Sequence, residues 1–138
     1  GGGARASSVR GEAPAPIKIS AIESLGSALL ATGFPYDAAT NPLNNLADWT
    51  HLQKVSSCRR LGSASLDTCM VGCGWFDGYW ERHLNAWDVA AGALVVKEAG
   101  GTITNLAGGA FDPHGGEIVA TNGAIHAELL AALAAVVR

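Results

Sequence analysis

The sequence predicts an α/β fold, and three observations carry that prediction. Apolar residues make up 49% of the 138 residues, enough to build one core. Short alternating or apolar runs that suit strands take turns with segments whose apolar residues recur every three or four positions. Glycine and proline mark the changeovers. Strands and helices that alternate along one chain of this length point to a single layered α/β domain.

Residues 1–16 are rich in Gly, Ala, Ser and Pro and read as a flexible or hairpin-like leading segment. Residues 17–138 then form the α/β domain. Ile17 to Ser20 alternates apolar and polar, which predicts a short strand. Ser27 to Phe34 is an apolar run closed by Gly33 and Pro35, the length of a buried strand. Asn41 to Ser56 carries Leu43, Leu46, Trp49, Leu52 and Val55, a helical stripe suited to covering a sheet. Arg59 to Gly62 is extended. Ser63 reads as the N-cap of a helix whose buried face is Leu66, Cys69, Met70 and Cys73, ended by Gly74.

Gly78 to Arg82 is aromatic and alternating, a strand with Tyr79 and Glu81 on one face and Trp80 and Arg82 on the other. Asn85 opens a helix with the apolar stripe Val89, Ala93 and Val96, stopped by Gly100-Gly101. Thr102 to Asn105 is a strand, residues 107–116 a Gly-rich loop, Glu117 to Thr121 a strand, and Ile125 to Val137 a closing helix. No internal repeat is present.

Charge and composition exclude whole classes. Nine Lys and Arg against 12 Asp and Glu give a net charge of −3, so no basic excess exists to neutralise a nucleic-acid backbone. The apolar stretch of residues 124–137 is cut by His126 and Glu128 and falls short of the roughly 20 residues of a membrane span. Three cysteines without a secretory signal argue for a reducing compartment and against a disulfide framework. Cys69 and Cys73 share a helix face and read as small buried side chains. Met70 is the only methionine and the chain opens Gly1-Gly2-Gly3, which suggests a fragment, a processed product or a truncated gene model.

Two helix starts are candidate anion or metal sites. At Gly62-Ser63-Ala64 a glycine lets a ligand approach free backbone N–H groups. At Asn85-Ala86-Trp87-Asp88 the aspartate sits at the third helical position. There it either complements the helix dipole or points into a cleft as a hard oxygen ligand for Mg²⁺. Glu81 is either an edge carboxylate paired with a surface Arg or an acceptor for polyol hydroxyls. His83 and His114 read as surface or loop histidines, and Asp77-Gly78 as a turn.

Taken together, Arg59 to Ala64 (RRLGSA), Asp77 to Arg82 (DGYWER), Trp87 to Gly92 (WDVAAG) and Glu98 to Gly101 (EAGG), in that order and spacing, resemble the C-terminal half of the inositol monophosphatase family. Ile118 to His126 (IVATNGAIH) and Thr32-Gly33-Phe34-Pro35 are also similar, so the match runs from about Ile17 to the end. The resemblance implies a layered α/β sandwich and a Mg²⁺-dependent, lithium-sensitive phosphomonoesterase. It implies that Asp88 is a metal ligand. It implies that Glu81 hydrogen-bonds inositol hydroxyls, and that Gly62, Ser63 and Ala64 contact the substrate ring.

The departures from the family pattern matter as much. The family's other metal ligands lie on a Glu-containing helix and in an Asp-Pro-Ile/Leu-Asp-Gly-Thr segment, together with the Thr that helps activate water. The only Asp-Pro here, Asp112-Pro113, is followed by His114. Arg10-Gly11 stands where Asn-Gly is usual. No residue in these 138 is therefore assigned as catalytic, and the chain alone is expected to have little activity. The implied partner is a small-molecule phosphate monoester, first inositol phosphate, with a homodimer in the full-length protein and neither nucleic acid nor membrane. The implied compartment is cytoplasm or plastid stroma. Histidinol phosphate, sugar bisphosphates and nucleotide 3′-phosphates remain alternative substrates. A non-catalytic module that folds against a partner subunit is the alternative outside enzymes.

Overall fold

The computed structural model describes residues 3–7, 13–42 and 44–136. Its elements are β1 (Arg5–Ala6), β2 (Ala15–Pro16), β3 (Leu29–Thr32), α1 (Leu46–Leu52), β4 (Ser57–Arg59), α2 (Ala64–Gly72), β5 (Gly78–Arg82), α3 (Ala86–Glu98), β6 (Thr102–Thr104), β7 (Glu117–Thr121) and α4 (His126–Ala134). β1 and β2 form a two-residue antiparallel ladder that pairs Arg5 with Pro16. The other five strands make one sheet in the order β4-β3-β5-β7-β6. β4, β3 and β5 run parallel, and β7 and β6 close the sheet antiparallel.

Both faces of this sheet are covered, which makes a layered α/β sandwich. One core gathers Leu30, Leu52, Trp80, Val119, Leu129 and Leu133 beneath α1 and α4. The other gathers Ala31, Val71, Tyr79, Val89, Ala93, Val96 and Ile118 beneath α2 and α3. The alternation within β5 decides the two sides. Trp80 goes to the first core and Tyr79 to the second, each with no exposed surface. The apolar stripe expected for α3 faces the sheet as its spacing requires.

Several expectations shift. Residues 17–20 form no strand. Ser20 is bonded to the Asp77 carboxylate, and the Lys18–Ser20 backbone packs against Gly74, so the segment covers a loop and does not extend a ladder. The helix expected over 41–56 is only α1, and the stripe's ends, Leu46 and Val55, are exposed. Leu43 lies outside the described residues. The extended piece is Ser57–Arg59, starting two residues earlier than expected and ending before Arg60.

The buried face of α2 differs most. Leu66 is 58% exposed and Cys69, Met70 and Cys73 are half-buried, whereas Asp67, Thr68, Val71 and Gly72 are buried. The cause is the close crossing with α3. A Cβ on Gly72 would lie 2.9 Å from Val95, and one on Gly92 would lie 2.8 Å from Thr68. Small residues therefore take the contact and turn the larger ones outward. Among the described residues no helix is long and apolar enough to cross a membrane.

Candidate active site

Parallel strands β3 and β5 end side by side, and α2 and α3 begin above those ends. This is where a parallel sheet leaves a crevice for ligands. A cavity of about 590 Å³ opens there. Its walls are the loop Gly33–Asp37, the turn Gly62-Ser63-Ala64, Glu81 and His83 at the end of β5, and Asn85 and Asp88 at the start of α3. All five residues singled out from the sequence, Gly62, Ser63, Ala64, Glu81 and Asp88, thus line one pocket.

Each is held by local structure. Gly62 has φ 92°, a left-handed backbone that favours glycine. Ser63 occupies the cap position of α2, yet its hydroxyl makes no cap bond and lies 3.3 Å from that of Ser65. Asn85 is the extended residue before α3, and its backbone N–H donates to Asp88 Oδ2 at 2.9 Å. That bond satisfies one N–H left open at the helix start and fixes the Asp88 carboxylate. His83, at φ 59°, is the sole described non-glycine residue with a left-handed backbone, and it turns the chain from β5 towards α3.

Glu81 is not an edge carboxylate. β5 is the central strand, and Glu81 is only 7% exposed. Arg82, on the opposite face, pairs with Asp48 at 3.1 Å and Glu117 at 3.6 Å, so it does not serve Glu81. The Tyr79 hydroxyl donates to Glu81 Oε2. Burial pushes the Glu81 carboxyl above the usual range, and the charges of Asp67 and Asp88 push the same way. The Tyr79 hydroxyl and the Arg60 guanidinium pull it back. Burial, reinforced by Glu81, drives the Tyr79 hydroxyl far above its ordinary value, so it remains a donor.

Three contributors were not singled out from the sequence as site residues. Arg60 lies on the pocket wall with its guanidinium carbon 5.4 Å from the centre of the Phe34 ring, a cation–π contact. Phe34 in turn meets Trp49 edge-on at 5.8 Å. Tyr79 could have been found, since it stands two residues before Glu81 on the same strand face. Asp67, fully buried behind the pocket, makes no side-chain hydrogen bond among the described residues. Burial raises its pKa to about 6, and the nearby Ser63 backbone, which falls short of hydrogen-bond geometry, offsets part of that rise. Its signal was its helical position, four residues before buried Val71. Asp77 is no simple turn residue. It is 6% exposed and accepts from Leu29 N–H at 2.6 Å and the Ser20 hydroxyl at 2.5 Å.

Among the described residues no group of three His, Cys, Asp or Glu side chains is placed to hold a metal ion. Asp88, with its carboxylate on the cavity wall, has the hard-oxygen chemistry that a single ligand would need. The three cysteines are free thiols. Burial pushes Cys58 up to about 11 and raises Cys69 and Cys73, so none is an activated nucleophile.

A family model described as the inositol monophosphatase family matches residues 1–138. An inositol-1-monophosphatase of Synechocystis sp. is 46% identical over 121 residues, which are 87% of this chain and 42% of that protein. A protein of Neisseria meningitidis named as a putative Nus factor SuhB is 41% identical over 86% of this chain and 46% of its own length. The solved inositol monophosphatase from Anabaena (Nostoc) sp. superposes with a TM-score of 0.86 at 46% identity, covering 88% of this chain and 49% of that one. The chain thus spans about half the length of the relatives it matches.

Proposed function

The chain belongs to the inositol monophosphatase family, and on that premise we propose that it carries the polyol-binding wall and one metal ligand of a phosphatase. The reaction is Mg²⁺-dependent hydrolysis of a small polyol's phosphate monoester, with inositol monophosphate the first candidate. One observation carries this reading. A buried carboxylate, a second carboxylate fixed at a helix start and a glycine turn at another helix start all face one cavity.

Asp88 suits Mg²⁺, which takes hard oxygens and often only one or two carboxylates, with water and phosphate completing its shell. With Oδ2 engaged by the Asn85 N–H, the carboxylate presents its other oxygen in a fixed orientation. A bound Mg²⁺ supplies polarisation of the phosphoryl oxygens and a more acidic water. The chain's own residues do the positioning. Glu81 accepts hydrogen bonds from ligand hydroxyls, with Tyr79 holding its carboxylate in place. The turn at Gly62 offers backbone N–H groups to ligand oxygens. Holding the ester this way converts binding into orientation.

The test is calorimetric titration of the chain with myo-inositol 1-phosphate, with and without Mg²⁺. Binding is expected to depend on Mg²⁺, Asp88→Asn to abolish that dependence, and Glu81→Gln to weaken affinity about tenfold, the worth of a buried hydrogen bond. Affinity indifferent to Mg²⁺ in the wild type would refute the reading. Phosphate release is expected far below the ~10 s⁻¹ typical of enzymes, because Asp88 is the one metal ligand assigned. The Neisseria relative's name, a putative Nus factor, keeps a second reading beside it, a non-catalytic module that needs a partner. Under it, partner capture would survive Glu81→Gln and Asp88→Asn unchanged.

A further inference from the structure

The segment Thr32-Gly33-Phe34-Pro35 carries a glycine that sits against Glu81. Gly33 is absent from the glycines with a left-handed backbone, so no positive φ calls for glycine there. What a side chain there would meet is Glu81. A Cβ at Gly33 would lie 2.6 Å from Glu81 Cδ and closer still to both carboxylate oxygens, and these three Glu81 atoms are its nearest neighbours.

The backbone at this point is held from two sides. The Gly33 carbonyl accepts from buried Asn45 Nδ2 at 2.7 Å. The hydroxyl of Thr32, with no exposed surface, donates to the Trp80 carbonyl on β5. The Glu81 carboxylate, at the end of a flexible side chain, is the part free to yield.

We propose that Gly33 is a positioning residue of this site: its missing side chain is the recess that seats the Glu81 carboxylate on the pocket floor. The inference rests on the reading of Glu81 as the acceptor for polyol hydroxyls. A methyl group at Gly33 would drive the carboxylate off the Tyr79 hydroxyl and into the cavity, occupying the space a ligand ring needs. Withdrawing the carboxylate by one methylene would relieve the clash. Gly33→Ala and Glu81→Asp are therefore expected to compensate each other.

The experiment compares wild type, Gly33→Ala, Glu81→Asp and the double variant. Thermal unfolding, the side-chain carboxyl ¹³C shift at position 81 and Mg²⁺-supported affinity for myo-inositol 1-phosphate are read for each. Gly33→Ala is expected to fold, to move the Glu81 carboxyl resonance and to weaken affinity about tenfold. The double variant should bind more tightly than Gly33→Ala alone. An unmoved resonance in Gly33→Ala, or effects that simply multiply in the double variant, would overturn the proposal. If Gly33→Ala does not fold, restored folding in the double variant supports the recess and continued failure rejects it. If even the wild type binds no inositol phosphate, the functional reading fails. The resonance and the unfolding cycle still decide whether Gly33 seats Glu81.

Discussion

Two buried acids sit at opposite ends of strand β5, Asp77 just before it and Glu81 as its penultimate residue, and they are built into the molecule differently. They are almost equally hidden, at 6% and 7% exposed. Asp77 spends both carboxylate oxygens on donors, the Leu29 N–H and the Ser20 hydroxyl. Its backbone is bonded too, since its N–H donates to Leu29 and its carbonyl accepts from Asn122. Asn122 extends the network to Ser20 and Ile22. Glu81 has one described side-chain donor, Tyr79, and Asp67 behind it has none. A buried acid saturated with donors holds a fold together. A buried acid left short of donors costs stability and marks a place reserved for something else.

The sharpest way to break this contrast is at Asp77. Asp77→Ala would strand the Leu29 N–H and the Ser20 hydroxyl. It is expected to destabilise the chain by about 2–4 kcal/mol, as loss of a buried hydrogen-bond network does. Denaturant unfolding measures this, and a loss below about 0.5 kcal/mol, the size of a neutral surface change, would show that the network does not support the sheet.

The opposite sign is expected at Asp67. Folding raises its pKa from 3.8 to about 6, so the native chain holds the proton more tightly than the unfolded one. Its stabilising contribution is complete below pH 3.8 and is lost as pH rises through about 6. Above that range the ionised carboxylate is a burden, and Asp67→Asn is expected to stabilise the chain by about 1–2 kcal/mol. The melting temperature across pH tests this. The gain should shrink as pH falls through 6 and vanish near 3.8, and no gain in mild alkali would sink the idea.

The smallest effect is expected at His126, a buried group that has its partners. Its ring lies 3.0 Å from the Thr104 hydroxyl and 2.9 Å from that of Thr121. Burial lowers its pKa from 6.5. The unfolded chain therefore binds a proton first, and the stability is present above pH 6.5 and lost as pH falls below it. His126→Gln should flatten this acid-side loss and leave the alkaline loss due to Asp67 intact. An unchanged acid-side slope would assign the loss to other groups.

Much of this organisation is legible in the sequence alone. The span of β5 and the sides taken by Tyr79 and Trp80 follow from two-residue alternation. The stripe Val89, Ala93 and Val96 follows from the helical period. The helix starts at Ser63 and Asn85 could be read from short polar and glycine signals. The reading failed where a local pattern had two solutions. Leu66, Cys69 and Met70 have helical spacing and could have faced the sheet, but Gly72 and Gly92 let α3 approach so closely that Asp67 and Val71 face it instead.

Local periodicity along the chain determined which segments became strands and helices, and it placed Gly62, Glu81 and Asp88 at the ends of those elements. Packing between distant segments decided the rest: the recess that Gly33 leaves for Glu81, the stacking of Arg60 on Phe34 and the burial of Asp67 without a donor. The physical reason is range. Backbone propensity and side-chain alternation act over a few residues, whereas close approach and desolvation depend on which parts of the chain meet.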